Sequence, residues 1–336
     1  MKIARWTHNG TVGEGFIVDD RVVAFADRET VATLLASGLE GARAAFDRTQ
    51  QQAGESAALT LADVTLLAPV VPTSIRDFVA FEEHVEGVSA GVEGKSNVPP
   101  EWHELPTFYF TNPHTVQAPG QELRPPVTEK LDFELELAAV IGTAPGIGES
   151  NLTPADAKEL IFGYTIMNDW SARDLQAREM QVRLGPAKGK DFGTVLGPWI
   201  VTADEFEQYL DDEGFLQIRG EARINGELVG EDLISNMGWP FPELVAYASR
   251  NSRVIPGDVM GSGTVGNGGC LGELWGRNQG LTPPPLVEGD VVTLTIEGIG
   301  EISNRVGAAE PAPELPRARR RPRLRHRAEA NAETTA

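Results

Sequence analysis

Cysteine is almost missing: Cys270 is the only one in 336 residues. That excludes an intrachain disulfide and fits a reducing, cytoplasmic setting. A catalytic thiolate would rest on this one residue alone. No Cys or His spacing matches a zinc site, and no GxxxxGK[ST] loop is present to cradle phosphates. Positive charge is also scarce. Lysine and arginine number 29 against 49 acids, for a net charge of −20, which argues against broad nucleic-acid binding. No apolar run approaches a membrane span and the first residues do not resemble a signal peptide, so no membrane partner is expected. No internal repeat stands out.

The remaining composition is ordinary, with 41% hydrophobic and 23% charged residues, enough for one large domain or two unequal ones. Residues 1–68 read as a small β-rich domain. MKIARW alternates, and GFIVDDRVVAF is two short strands about Asp19-Asp20, while TVATLLA and GARAAFDRTQQQA read as helices. Prolines between 68 and 73 suggest a linker. A second domain, 70–306, is dominated by strand signals, including a hairpin with Asn225-Gly226 suited to a type I′ turn. Helices are predicted after Pro154, in SARDLQAREMQ and in PFPELVAYASRNS. The class is α+β, mainly β, without the strand–helix alternation of a doubly wound sheet. From Glu310 onward the chain carries seven arginines and four glutamates, a net +3 that leaves −23 for residues 1–309. Proline and like charge predict a disordered tail over 310–336.

FELELAAVIG (133–142) poses the chemical question. It is apolar like a buried strand, yet holds Glu134 and Glu136, with Asp132 just before. Residues two apart share a face of a strand, so the three acids should crowd one side, opposite Phe133, Leu135 and Leu137. A solvated face of an antiparallel strand would tolerate this. Inside a protein, repelling carboxylates need a counter-charge. A second apolar strand, in IFGYTIMNDWSARDLQ, ends at Asp169, which could cap a helix or join the acids. Glu134, Glu136 and Asp169 together make an oxygen-only set, favouring Mg²⁺, Mn²⁺ or Ca²⁺. In the following helix Arg173 and Gln176 can share a face, and Asp174 with Arg178 reads as a surface ion pair. GPAKGKDFGTVLG brings Lys188 and Lys190 into an acidic protein on a glycine-rich loop. His84 lies among Glu82, Glu83 and Glu86, a setting that suits a general base or an ordinary surface histidine.

FELELAAVIG, YTIMNDWSARDLQ, GKDFGTVLGPWIV and GDVMGSGTVG, in that order, resemble the fumarylacetoacetate hydrolase family over about residues 70 to 305. The resemblance implies a catalytic domain built as a mixed β-sandwich roll behind a variable N-terminal domain, and a homodimer. It implies that Glu134, Glu136 and Asp169 hold a divalent metal, usually Mg²⁺ or Mn²⁺, with Asp77 reaching it directly or through water. His84, seven residues after Asp77, matches the catalytic histidine, and its carboxylate partner would be Glu273 or Glu86. Lys190 matches the family's active-site lysine. Arg173, Gln176, Thr264 and Tyr109 match residues at the substrate site.

The implied chemistry is metal-dependent hydrolysis of a C–C bond in an acylpyruvate or β-diketo acid, through a stabilised enolate. Decarboxylation, isomerisation or hydration of a 2-oxo acid are the alternatives within the family. A metal-stabilised scaffold, or a binding module using the basic tail, is the alternative of another class.

Overall fold

Strand Leu135–Ile141 is buried along its whole length, and the rest of the fold is arranged around it. The computed structural model describes residues 1–26, 28–53, 59–93, 96–321 and 323. Leu135, Leu137, Ala139 and Ile141 enter one core with Phe133, Phe78 and Leu294. Ala138 and Val140 enter another, with Met167, Phe16, Leu34 and Leu35. The alternation of a strand thus divides its two faces between two cores, and Glu136 lies on the Ala138 side.

The large sheet has twelve strands. Its main path runs Leu59–Thr60, Arg21–Ala24, Thr11–Val18, Lys2–His8, Thr194–Thr202, Ile161–Asp169, Leu135–Ile141, Val259–Gly261, Ile75–Phe78 and Phe108–Thr111. Pairing is antiparallel except between Val259–Gly261 and Ile75–Phe78, and where Val116–Gln117 joins Thr194–Thr202. A second sheet of four strands runs Glu227–Leu233, Arg219–Ile224, Val291–Ile296, Gly300–Arg305. This is the mainly β, α+β arrangement expected from the sequence. The N-terminal strands belong to the large sheet, joined to it at Lys2↔Val201 and Ile3↔Ile200.

The two helices expected after residue 30 form within Val31–Ala53 and are separated at Gly38, whose φ of 70° and ψ of −175° are not helical and let the backbone approach the Thr143 carbonyl. Asn225 and Gly226, with φ of 51° and 85°, make the expected tight hairpin between Ile224 and Glu227. Pro154 opens helix Pro154–Leu160 behind a Thr153 cap. Helix Phe241–Ser249 buries Phe241, Leu244, Val245 and Ala248 inside the chain, so this apolar run packs internally. Helices Glu82–Glu93 and Leu271–Asn278 lie against each other, with Gly87 so close to Glu273 Cγ that no Cβ would fit.

One expected pair does not form. Asp174 does not bridge to Arg178; it accepts from Thr128 Oγ1 and from Glu129 N at 3.2 Å, because a neighbouring loop presents donors to the first turn of its helix. After Glu310 residues 311–321 are exposed and carry no regular secondary structure. The remainder of the arginine-rich tail expected to be disordered, 322 and 324–336, lies outside the described residues apart from Arg323. No helix among the described residues is long and apolar enough to cross a membrane.

Candidate active site

Sheet register gathers the acids. Leu135 pairs with Asn168 and Glu136 with Met167, which brings the start of one strand beside the end of the next, where Asp169 lies. On the other side Ala138 pairs with Gly261, and Gly261 with Asp77. Asp77, Glu134, Glu136 and Asp169 each place one oxygen within 4.8 Å of the others, and all four are buried. Gly261 is what leaves room for them: a Cβ there would stand 2.6 Å from Asp77 Oδ1 and 2.8 Å from Glu136 Oε2.

These oxygens are under-satisfied. Asp77 Oδ1, both Glu136 oxygens and Asp169 Oδ1 are buried without a hydrogen-bond partner. Lys190 Nζ donates to Glu134 and, at 2.7 Å, to Asp169. Arg173 Nη2 reaches Glu134 at 2.7 Å. Four carboxylates against two cations leave two formal negative charges, which one divalent ion would cancel. Burial, and then the neighbouring carboxylates, push Asp77 and Glu136 well above the usual carboxylate range. Burial also raises Asp169, against the pull of Lys190. Burial works on Glu134 in the same sense, but Lys190 and Arg173 outweigh it and hold its carboxyl below the usual range. Orphaned buried oxygens, an oxygen-only donor set and the charge deficit all fit Mg²⁺, Mn²⁺ or Ca²⁺.

Asp132 is a correction to the strand reading. It does not join the cluster, because regular pairing stops after Leu131–Asp132 and resumes at Leu135. Its carboxylate accepts from Leu271 N at 2.7 Å, Gly272 N at 2.9 Å and Arg173 Nε at 2.8 Å. Arg173 therefore spans Asp132 and Glu134, and its Nη1 donates to Gln176 Oε1 at 3.2 Å. The solvated-face alternative for Glu134 and Glu136 is excluded by their burial.

Tyr109, opposite Asp77 on strand Phe108–Thr111, donates its hydroxyl to Asp169 Oδ2. Thr264 is buried, and its methyl lies next to Gly269, just before Cys270. Lys188 is exposed and pairs with Asp191 at 2.7 Å, as a loop lysine would.

His84 is buried, and burial lowers its pKa to about 4, so the imidazole is neutral. A ring nitrogen of His84, a Glu134 oxygen and Cys270 Sγ lie within 4.8 Å of one another, which puts His84 at the wall of the cluster. Its hydrogen-bond contact is Cys270 Sγ, 3.6 Å from Nδ1. Neither expected carboxylate hydrogen-bonds His84 among the described residues. Glu86 faces solvent. Glu273 is buried against Gly87, one helical turn from His84, with Oε1 taken by Arg277 at 2.6 Å and Gly268 N at 3.2 Å. Burial raises its pKa to about 7. Sequence reasoning missed Cys270, which lies 186 residues from its histidine with no local signal.

The sequence model described as fumarylacetoacetate (FAA) hydrolase, C-terminal, matches residues 73–307. A fumarylacetoacetase of Arabidopsis thaliana is 30% identical over 285 residues, 70% of this chain and 67% of the relative. The oxaloacetate tautomerase YisK of Bacillus subtilis (strain 168) is also 30% identical, over 251 residues, 74% of this chain and 75% of that one. The solved fumarylacetoacetate hydrolase of Exiguobacterium antarcticum superposes with a TM-score of 0.67 at 27% identity, covering 92% of this chain and 99% of that one. With a large mixed sheet of the same catalytic type and a sequence match over most of its length, the chain belongs to the fumarylacetoacetate hydrolase family and is an enzyme.

Proposed function

We propose that the protein hydrolyses a C–C bond in an acylpyruvate or β-diketo acid. The observation that carries this reading is a neutral, buried His84 at the wall of a four-carboxylate cluster that also holds two cations. Relatives named for fumarylacetoacetate and oxaloacetate support 2-oxo and β-diketo acids as the substrate class.

Asp77, Glu134, Glu136 and Asp169 would hold a Mg²⁺ or Mn²⁺ ion, which supplies Lewis-acid polarisation of the substrate oxygens. His84, with one ring nitrogen unprotonated, takes a proton from water. The resulting hydroxide attacks the carbonyl on the far side of the bond to be broken. As that bond breaks, its electron pair passes to an enolate. Lys190 and Arg173, fixed by Glu134, Asp169 and Asp132, stabilise the charge growing on the enolate oxygen. Gln176 steadies Arg173, and the buried strand acids need not touch substrate. Tyr109 and Thr264 line the substrate side. A proton, returned from the imidazolium or from water, completes the ketone product.

A second reading has its own observation. No carboxylate hydrogen-bonds His84 among the described residues, so the base lacks the partner that would stabilise an imidazolium. A weak base of this kind suits removal of an acidified C–H proton α to a carbonyl, as in a tautomerase or isomerase; a decarboxylase, which loses CO₂ to leave the enolate, needs neither that step nor an activated water. The test is a product assay over short and long acylpyruvates and oxaloacetate, with Mg²⁺ or Mn²⁺. Two acid fragments formed only with metal and with His84 present support the hydrolase. Enol–keto exchange or CO₂ release without such fragments replaces it with the second reading. A cytoplasmic homodimer is part of the proposal. Exposed Met180, Val182 and Leu184 beside the glycine-rich loop are apolar enough to lie against a second copy.

A further inference from the structure

We propose that His84, Cys270 and Glu134 form a second metal site, for a borderline or thiophilic divalent ion such as Zn²⁺, at the wall of the oxygen site. The three residues offer an imidazole nitrogen, a sulfur and a carboxylate oxygen, all mutually within 4.8 Å and all buried. Spacing rules applied to the sequence find no zinc motif because His84 and Cys270 stand 186 residues apart and meet only through the packing of their two helices. The sulfur is held in place at the start of helix Leu271–Asn278, where it accepts from Glu273 N at 3.4 Å. Among the described residues His84 has this sulfur as its one side-chain hydrogen-bond contact, so a nitrogen is available to an ion.

The two sets differ in kind. Asp77, Glu134, Glu136 and Asp169 are all oxygen, whereas the second set mixes nitrogen, sulfur and oxygen; hard and borderline ions sort between such sets. Glu134 belongs to both, the arrangement of a carboxylate shared by two metals. Charge permits both ions. With Asp132 included, the acids exceed Lys190 and Arg173 by three, and a divalent ion in the oxygen site leaves one negative charge. Binding at sulfur forms a metal–sulfur bond and releases the S–H proton to solvent, with no change of oxidation state. The added thiolate charge and the first excess then match the second ion. Arg173 must yield part of its hold on Glu134, and keeps Asp132.

An ion in this site takes the nitrogen of His84. Zinc should therefore inhibit whichever reaction His84 performs; that consequence alone rests on the proposed function. The site itself is tested without turnover. The protein, saturated with Mg²⁺, is titrated with Co²⁺ under anaerobic conditions and followed in the near ultraviolet. A thiolate-to-cobalt charge-transfer band is expected, lost in Cys270→Ser. In His84→Ala the band should need at least about tenfold more Co²⁺, the scale of losing a metal-supporting group. No band in the unaltered protein, or a band indifferent to His84→Ala, overturns the proposal. Should Cys270→Ser fail to fold, His84→Ala and the unaltered protein still decide. A failed C–C hydrolysis assay leaves this result standing, and a missing cobalt band leaves the hydrolase reading standing.

Discussion

Two groups of acids stand within a short reach of one another and meet opposite fates. Glu82, Glu83 and Glu86 sit on helix Glu82–Glu93 with their side chains in water. Asp77, a few residues earlier, is buried with Glu134, Glu136 and Asp169. Outside, water screens each charge and no partner is required. Inside, every charge needs a donor or a counter-ion, and the cluster is supplied with two cations for four acids. The difference teaches that negative charge in this chain becomes informative only where the fold removes water from it.

The contrast can be broken most strongly at Arg173. Arg173→Met strips a cation from two buried acids and should cost about 3–5 kcal/mol in the metal-free protein, read by denaturant unfolding. Gly261→Ala crowds Met167, Asp77 and Glu136 at once. It should cost about 1–3 kcal/mol and weaken divalent-ion binding as well. Glu136→Gln should do the reverse to the metal-free fold, stabilising it by about 1 kcal/mol through removal of a buried acid that the unfolded chain can ionise and the fold leaves unpartnered. The same change should lower Mg²⁺ or Mn²⁺ affinity by more than about 100-fold, beyond the loss of an outer hydrogen-bond partner, as calorimetry would show.

Acidity sharpens the comparison further. Asp77 and Glu136, held above the usual carboxylate range by burial, keep protons in the metal-free fold that the unfolded chain releases. Their contribution to stability is present at low pH and is lost as pH rises through the raised values. Metal uptake must expel those protons, so apparent affinity rises with pH, and calorimetry in buffers of different ionisation heat counts them. His84 works with the opposite sign. Its pKa falls from 6.5 to about 4, so its contribution is present above 6.5 and lost as pH falls through that window. The smallest effect belongs to the surface: Glu86→Gln should change stability by no more than about 0.5 kcal/mol.

Much of this was legible before any coordinates. The i, i+2 spacing of Glu134 and Glu136 put them on one face, and the strand end at Asp169 put a third acid within reach. The hairpin at Asn225-Gly226 and the helix after Pro154 were carried by local backbone preference. What escaped was competition between distant groups. Periodicity implied that Asp132 would join its neighbours, but the backbone amides of Leu271 and Gly272 claimed it. Helical spacing paired Asp174 with Arg178, yet Thr128 offered a donor from another loop. The resemblance offered Glu273 or Glu86 as the partner of His84, yet Glu273 is held by Arg277 and Gly268 N, the helix turns Glu86 outward, and the sulfur beside His84 comes from the start of a different helix.

The seam between Lys2–His8 and Thr194–Thr202 has a practical consequence. Thr194–Thr202 lies directly beside the strand that ends in Asp169; on its outer flank the N-terminal strand pairs with Ile200 and Val201, and Val116–Gln117 pairs with Thr194 and Val195. Trimming the chain back to residue 70, in order to isolate the catalytic part, would bare unpaired amides and carbonyls at the Ile200–Val201 end of this apolar strand. Such a fragment should self-associate edge to edge. Its insolubility would then report a lost neighbour in the sheet and say nothing about the chemistry of the acids.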